Sequence, residues 1–477
     1  MTQGPRMFDG IKWETFPLVD THGGGKAAPM EPVLKEDGSE TLFVSIASYR
    51  DGVRCANTIK SLFDNAHDPD KITVGLVEHA HEDDVKCLEH YCSLHGIKIG
   101  KHTRKFDPTE NRKRCPYYSR IRYLAVFAYG AKGPVVSRAL HRKILGNEDF
   151  CLQIDAHTGF KSDWDVTLKE EWTNCRNEYG IVSTVPPPLS DYDEGQSEVA
   201  RRCHLQIAEN GIPEYKKDEG KVSDLPRPVL SPSWSASFSF SKCHLSTATP
   251  YDAFSPQTWS AEQFPYLVRF WTRGYDVYTP TRNVLFHNFT IQDGVAPKGW
   301  IPNNRERKES LKRIKSILGM EGDEKIWGNF GVYGLGRRRT LEQFEHFAAV
   351  NLKNVGAQAS VKSEMGCGER EWVSYDLGIS ALESRYDAVS EMEKDPDPEF
   401  PLRTIGSGLP GTEFLSQGRK EEGLEVVATT GTNITAGRVL VLGLLWLGGI
   451  IVWMVAYSNM SSKGVPKKKR KKHSKNV

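Results

Sequence analysis

The sequence lacks most of what marks a small secreted or nucleic-acid-binding module. Its nine cysteines are spread over 477 residues with no C-x-x-C spacing, which excludes a dense disulfide scaffold. The odd count in a large chain predicts reduced thiols, with Cys151 and Cys243 as core filler. No apolar stretch of signal-peptide length occurs in the opening MTQGPRMFDGIKWETF, so nothing there directs the chain into the secretory pathway. Net charge is small, +2, and conceals one run, PKKKRKK from Pro466 to Lys472, with six positive charges. Basic residues in a terminal tail, instead of spread among aromatics on a folded surface, argue against nucleic acid as a partner. No internal repeat is evident.

Long hydrophobic runs are equally scarce, with one exception. Val439 to Tyr457, VLVLGLLWLGGIIVWMVAY, carries no charge over 19 residues, close to the ~20 that span a hydrocarbon core. Arg438 flanks one end and the lysine cluster the other, as interfacial anchoring suggests. The expectation is a single-pass membrane protein with a C-terminal anchor in an internal membrane of ER or Golgi type. Tail anchoring keeps the catalytic domain cytosolic and lets the basic tail grip anionic membrane lipid. Glycans on the sequons at Asn288 or Asn433 would instead mean a luminal domain.

Along the chain, residues 1–40 read as a loosely packed arm. TLFVSIASYRD from Thr41 is an apolar run followed by a helical pattern, VRCANTIKSLFDNA. KITVGLVEHA repeats the strand and EDDVKCLEHYCSLHG the helix. YSRIRYLAVFAYGA reads as a further helix before the strand DFCLQID, which ends at Asp155. This alternation predicts an α/β fold with a mixed, mainly parallel sheet over 41–300. A helical extension over 301–352, a flexible stalk over 353–437, the membrane helix at 438–458 and a basic tail over 459–477 complete the organisation.

Ligands of such sheets bind beyond the carboxyl ends of the strands, which places SYRD and IDAH at one crevice. Asp155 and His157 end an apolar strand two residues apart, so both can face one cation. Transfer from a nucleoside diphosphate needs a cation on the leaving group, and an Asp and His pair suits Mn²⁺ better than Mg²⁺. Alone, D-x-H is weak, and an Asp there is commonly a turn or cap. His287, ending VLFH, is a candidate third ligand, although by itself such a residue is more often a satisfied core histidine.

Several ordered motifs over residues 41–350 resemble the polypeptide N-acetylglucosaminyltransferases that modify hydroxyproline on the F-box adaptor subunit of SCF ubiquitin ligases. SIASYRD is similar to that family's nucleotide-binding loop, and LQIDAHTGF to its metal motif L-Q-I-D-S-H-x-x-F, with Ala156 for Ser. RCPYYSR, ending at Arg120, resembles R-G-P-x-x-A-R. AEQFPYLVRFWTRGYDVYTP resembles a segment beginning G-E-E, with Glu262 kept and Gln263 replacing the second Glu. LFHNFT and YGLGRRRTLEQF follow in order.

The resemblance implies a GT-A fold and a retaining transfer of N-acetylglucosamine from UDP-GlcNAc to a polypeptide hydroxyl of hydroxyproline, or of Ser or Thr. It implies Mn²⁺ on Asp155, His157 and His287, and the UDP-sugar held by Ser48, Tyr49, Arg50, Asp51 and Arg120, while Trp234 joins that set from the residues themselves, as an aromatic face for the sugar. Glu262 and Asp155 are the catalytic carboxylates, and the SCF adaptor subunit the implied acceptor. The aromatic, serine-rich WSASFSF is a candidate wall for sugar or peptide. The alternative is a catalytically inactive, membrane-anchored nucleotide-sugar-binding protein.

Overall fold

The computed structural model describes residues 4–16, 18–19, 28–99, 108–192, 198–216, 220–259, 261–289, 303–320, 330–352 and 367–383. The chain divides into units 1–418 and 419–477, and the second lies wholly outside those residues, as does the apolar run Val439 to Tyr457. Among the described residues no helix is long and apolar enough to cross a membrane.

Two short strands, β1 (Arg6–Phe8) and β2 (Trp13–Thr15), come first. The opening arm is therefore partly structured: β1 pairs with β2 and with β12 (Lys221–Ser223), and β12 with β9 (Val199–Ala200). The body is an eight-stranded sheet. Its parallel half comprises β3 (Leu42–Tyr49), β4 (Ile72–Ala80), β5 (Ile121–Phe127) and β6 (Phe150–Asp155). The other half comprises β8 (Gly180–Ser183), β13 (Val229–Ser231), β14 (Phe238–Lys242) and β15 (Asp276–Thr279), in the order β13-β15-β8-β14-β6-β3-β4-β5. The β14 strand runs antiparallel between β6 and β8, so the sheet is mixed. Two ribbons stand apart: β7 (Thr158–Phe160) with β16 (Leu285–His287), and β10 (Leu205–Ile207) with β11 (Pro213–Tyr215).

Tyr118 to Ala131, expected as a helix, instead carries β5, an edge strand in register with β4 from Val74↔Ile121 onward. Its run of apolar, aromatic and branched residues fits a half-buried edge as well as a helix face, and pairing with β4 decides between them.

The helices are α1 (Gly52–Asp64), α2 (Cys87–Leu94), α3 (Pro108–Arg114), α4 (Pro134–Ala139), α5 (Trp164–Asn174), α6 (His244–Ala248), α7 (Gln263–Thr272) and α8 (Asn304–Ile317), with a last one at Leu341–Ala348. One core packs Leu42, Val44, Ile46, Leu152 and Ile154 against α1, α2 and α5, and a second gathers α7, α8 and Leu341–Ala348 around Trp271 and Phe344. Alternation along β6 sends Leu152 and Ile154 into the first core and turns Gln153 and Asp155 to the opposite face.

The thiols are not reduced. Cys55–Cys87, Cys92–Cys115, Cys151–Cys243 and Cys203–Cys367 are disulfides, leaving Cys175 free and buried. Separations of 23 to 164 residues carry no signature in the sequence, because spacing alone does not fix connectivity. Part of the expected stalk is also anchored. Cys367 is bonded to Cys203, and Trp372 Nε1 donates to Asp276 Oδ2 at 2.9 Å, where the buried Arg339 guanidinium also pairs.

Candidate active site

Three strands converge on one crevice. β3 and β6 are parallel neighbours, so the loop after Tyr49 and the turn after Asp155 emerge together. The β7–β16 ribbon, with His287 opposite Thr158, folds the late histidine back beside them. Asp155, His157 and His287 each present a ligand atom, all within 4.8 Å of one another, and the two imidazoles meet edge to face with centroids 4.4 Å apart.

The surrounding contacts orient these donors. Asp51 Oδ2 lies 3.1 Å from His157 Nδ1 and its Oδ1 accepts from Arg54 Nε at 2.7 Å. A carboxylate on one ring nitrogen leaves the other for a cation, the usual arrangement of a ligating histidine. His287 Nε2 is 3.3 Å from Asp155 Oδ2, and its buried Nδ1 has no partner. Burial opposes ionisation of Asp155, but the His287 contact and the charges of Arg138 and His157 outweigh it and hold the carboxyl down at about 2. A constitutively ionised Asp with two imidazoles is a borderline O and N donor set that fits Mn²⁺.

Arg138, on α4, is the site residue that the sequence reading missed. It is 8% exposed, and its Nη2 donates to Asp155 Oδ1 at 3.1 Å while Nη1 pairs with Glu262 Oε1. Its burial works against the charge, and the two carboxylates overcome that and raise its affinity for the proton. Glu262, 6% exposed just before α7, is pushed by burial up to about 6 although Arg138 lowers it. Arg138 Nε and Glu262 Oε2 remain buried and unpartnered, so the pair keeps polar capacity for something else.

Arg120 lies elsewhere. It precedes β5, at the amino end of a strand parallel to β4, and among the described residues its half-exposed guanidinium pairs with Asp70 alone, at 3.9 Å. The same G-P-x-x-x-R spacing recurs at Gly133 to Arg138 with the glycine and proline both present. Gly133 has φ +95°, open to glycine at little cost, and Pro134 starts α4. That pair was the legible signal.

The loop after β3 meets a second cluster at the carboxyl ends of β4 and β5. Arg50, at φ +52°, makes a two-pronged pair with Asp84, whose carboxyl that bond lowers to about 2. His81 and Tyr129 meet at a tilt of 51° with centroids 4.0 Å apart, and Tyr129 is 86% exposed. Tyr49 is half-buried beside His79, and Ser48 is buried with its hydroxyl unpartnered. Trp234 is not an exposed wall: it is 3% exposed, donates to Ser239 Oγ at 2.9 Å, and packs on Tyr266 and Phe270. It lines, with Arg138, Gln153 and Tyr251, a narrow cavity behind Asp155.

Among solved structures the chain is similar to that of GalNAc-T7 with UDP, GalNAc and Mn²⁺, at 10% identity and TM-score 0.41, over 59% of this chain and 49% of that one. It thus spans about half the length of that protein. It is also similar to the mannosyltransferase PcManGT of Pyrobaculum calidifontis in complex with GDP-Man and Mn²⁺ (12%, TM-score 0.35, 63% and 69%) and to S. aureus TarS 1-349 in complex with UDP-GlcNAc (11%, TM-score 0.34, 60% and 69%). No curated protein matches the chain. The family model described as Glycosyltransferase (GlcNAc) matches residues 41–354, which takes in the whole large sheet and the helices of the second core, and the chain belongs to that glycosyltransferase family.

Proposed function

We propose that the protein is a metal-dependent glycosyltransferase of GT-A type that moves N-acetylglucosamine from UDP-GlcNAc to a polypeptide hydroxyl, with the retention the resemblance implies. The observation that carries this reading is the convergence of Asp155, His157 and His287 beside the buried Arg138–Glu262 pair. Mn²⁺ held by those three residues would neutralise charge on the leaving diphosphate. Arg138 keeps Glu262 aimed and adds a fixed cation where negative charge develops. The unpartnered Glu262 Oε2 accepts a hydroxyl of the donor sugar or of the acceptor, and the raised proton affinity of Glu262 suits it to hold that proton. The exposed ring of Tyr129, tilted against His81, and Tyr49 offer flat faces to the base, with the loop at Arg50 and Asp51 beneath the ribose.

Four disulfides support placing the catalytic domain in an oxidising compartment, the side opposite to the one that tail anchoring favours. That setting favours a Ser or Thr hydroxyl of a secretory polypeptide over the ubiquitin-ligase adaptor. Glycan occupancy at Asn433 tests it, because Asn288 is half-buried with its N–H bonded to His157 O at 2.8 Å.

The test of catalysis is UDP release from UDP-GlcNAc and UDP-GalNAc, with Mn²⁺ or EDTA, beside Asp155→Ala. Mn²⁺-dependent release lost in D155A is expected, faster with UDP-GlcNAc. UDP binding without release would mean an inactive nucleotide-sugar-binding protein.

A further inference from the structure

The α8 helix carries a feature the transfer chemistry does not use. Ser310, Ile314 and Ile317 face the second core. Arg307, Lys308, Leu311, Lys312 and Lys315 recur at i, i+1, i+4, i+5 and i+8, one face of a helix. They line a groove of about 520 Å³ against the turn at Glu209 and Asn210. Gly211 closes this turn at φ +78°, and a Cβ there would stand 3.0 Å from Lys315 Nζ, so the turn and the cations approach closely. Among the described residues four cations line the groove together with the carboxylate of Glu209, and Lys312 also pairs with Glu309 at 3.3 Å.

The first turn of α8 is tied to both segments that build the site. Glu306 accepts from Lys132 Nζ at 3.2 Å and from Gln257 Nε2 at 3.4 Å. Lys132 precedes the Gly133–Pro134 start of α4 and Arg138, and Gln257 lies five residues before Glu262. A chain lying along α8 therefore arrives at the segments that lead into Arg138 and Glu262.

We propose that this groove docks an acidic tract of the acceptor polypeptide, outside the sugar-transfer site; the proposal rests on the transferase reading only for the word acceptor. Eight residues of helix span about 12 Å, which an extended strand covers in about four residues at ~3.3 Å each. The cations thus match a short run of Asp or Glu around the modified hydroxyl's neighbourhood, with Leu311 offering one apolar contact. Among the described residues no aromatic ring lines the groove to stack bases as single-stranded nucleic acid requires.

The test uses the full-length protein in detergent and a fluorescein-labelled octaglutamate peptide, followed by anisotropy at 50 and 300 mM NaCl. Saturable binding that weakens at least tenfold at the higher salt is expected, as is at least a tenfold loss in Arg307→Glu/Lys312→Glu and a smaller one in Arg307→Gln. Mn²⁺-dependent UDP release from UDP-GlcNAc should be unchanged in both variants, which also shows that they fold. Equal peptide affinity in wild type and both variants would overturn the proposal, and so would displacement of the peptide by phosphatidylserine in mixed micelles with the detergent, or by oligo-dT, at lower concentration than by unlabelled octaglutamate. Absence of UDP release in the wild type would sink the transferase reading instead, while peptide binding still decided the groove.

Discussion

Replacing Arg138 by Met removes one guanidinium from between two carboxylates, Asp155 at 3.1 Å and Glu262 in direct contact. Taking one partner from a buried ion pair costs about 3–5 kcal/mol, mostly the penalty of the charge left behind, and that range is expected here at pH 8 without metal. The pH dependence makes the argument specific. The Glu262 carboxyl is already raised to about 6 from 4.5 by burial, with Arg138 opposing the rise, so without Arg138 it rises further. A carboxyl raised in the fold costs stability progressively as pH climbs from its unfolded value through its folded one. In the wild type that cost stops growing near pH 6, whereas in R138M it continues to grow above it. At pH 5 the Glu262 of the variant is protonated and the loss shrinks to about half. Urea melts in EDTA at pH 8 and pH 5 measure this, and R138M/E262Q should recover about 2 kcal/mol at pH 8. An unchanged midpoint at pH 8, or the same loss at both pH values, would refute the reasoning.

Asp51→Asn weakens the hold on His157 Nδ1 and should reduce apparent Mn²⁺ affinity roughly 10–100-fold, read from Mn²⁺ titration of UDP release. Glu78, buried between Tyr123 Oη and the Cys87 N–H, is raised by burial to about 7 from 4.5. Its ionisation thus costs the fold on the order of 2–3 kcal/mol once pH exceeds 7, and Glu78→Gln should stabilise at pH 8 and do nothing at pH 4.5; a stabilisation equal at both would refute this. A Cβ on Gly75 would stand 2.1 Å from Phe43 Cζ, so Gly75→Ala should cost about 1–3 kcal/mol in the same melts. Cys151→Ser/Cys243→Ser opens a bond between residues 92 apart and should cost about 4 kcal/mol, and reductant should remove most of the difference from wild type.

The parallel half of the sheet was legible because β3, β4 and β6 are apolar runs bounded by polar turns, and the candidate metal triad because Asp155 and His287 end such runs and His157 follows two residues after one. β5 was misread because an edge strand half covered by its neighbour has no pattern of its own. Arg120 was placed in the site because R-C-P-x-x-S-R looks like the motif, and what a short motif cannot tell is which end of a strand it adjoins. Arg138 needed two facts the sequence does not carry together: that α4 packs on the face of β6 bearing Asp155, and that Glu262 returns to it from 124 residues away. The disulfides and the docked segment around Trp372 depend in the same way on contacts far apart in the chain.

The odd cysteine count has a consequence for how the covalent framework persists. Exchange among disulfides begins with a thiolate reaching a sulfur. The lone thiol, Cys175, is fully enclosed, gives its hydrogen to Glu171 O at 3.3 Å and is pushed by burial well above the ordinary thiol range. It therefore has neither the charge nor the access to start exchange, and the four native pairings cannot scramble from within while the fold is closed. The same enclosure makes the surface chemically silent to thiol reagents. A cysteine introduced at an exposed position such as Tyr129 would be the one site that a maleimide probe labels, beside the proposed seat of the base.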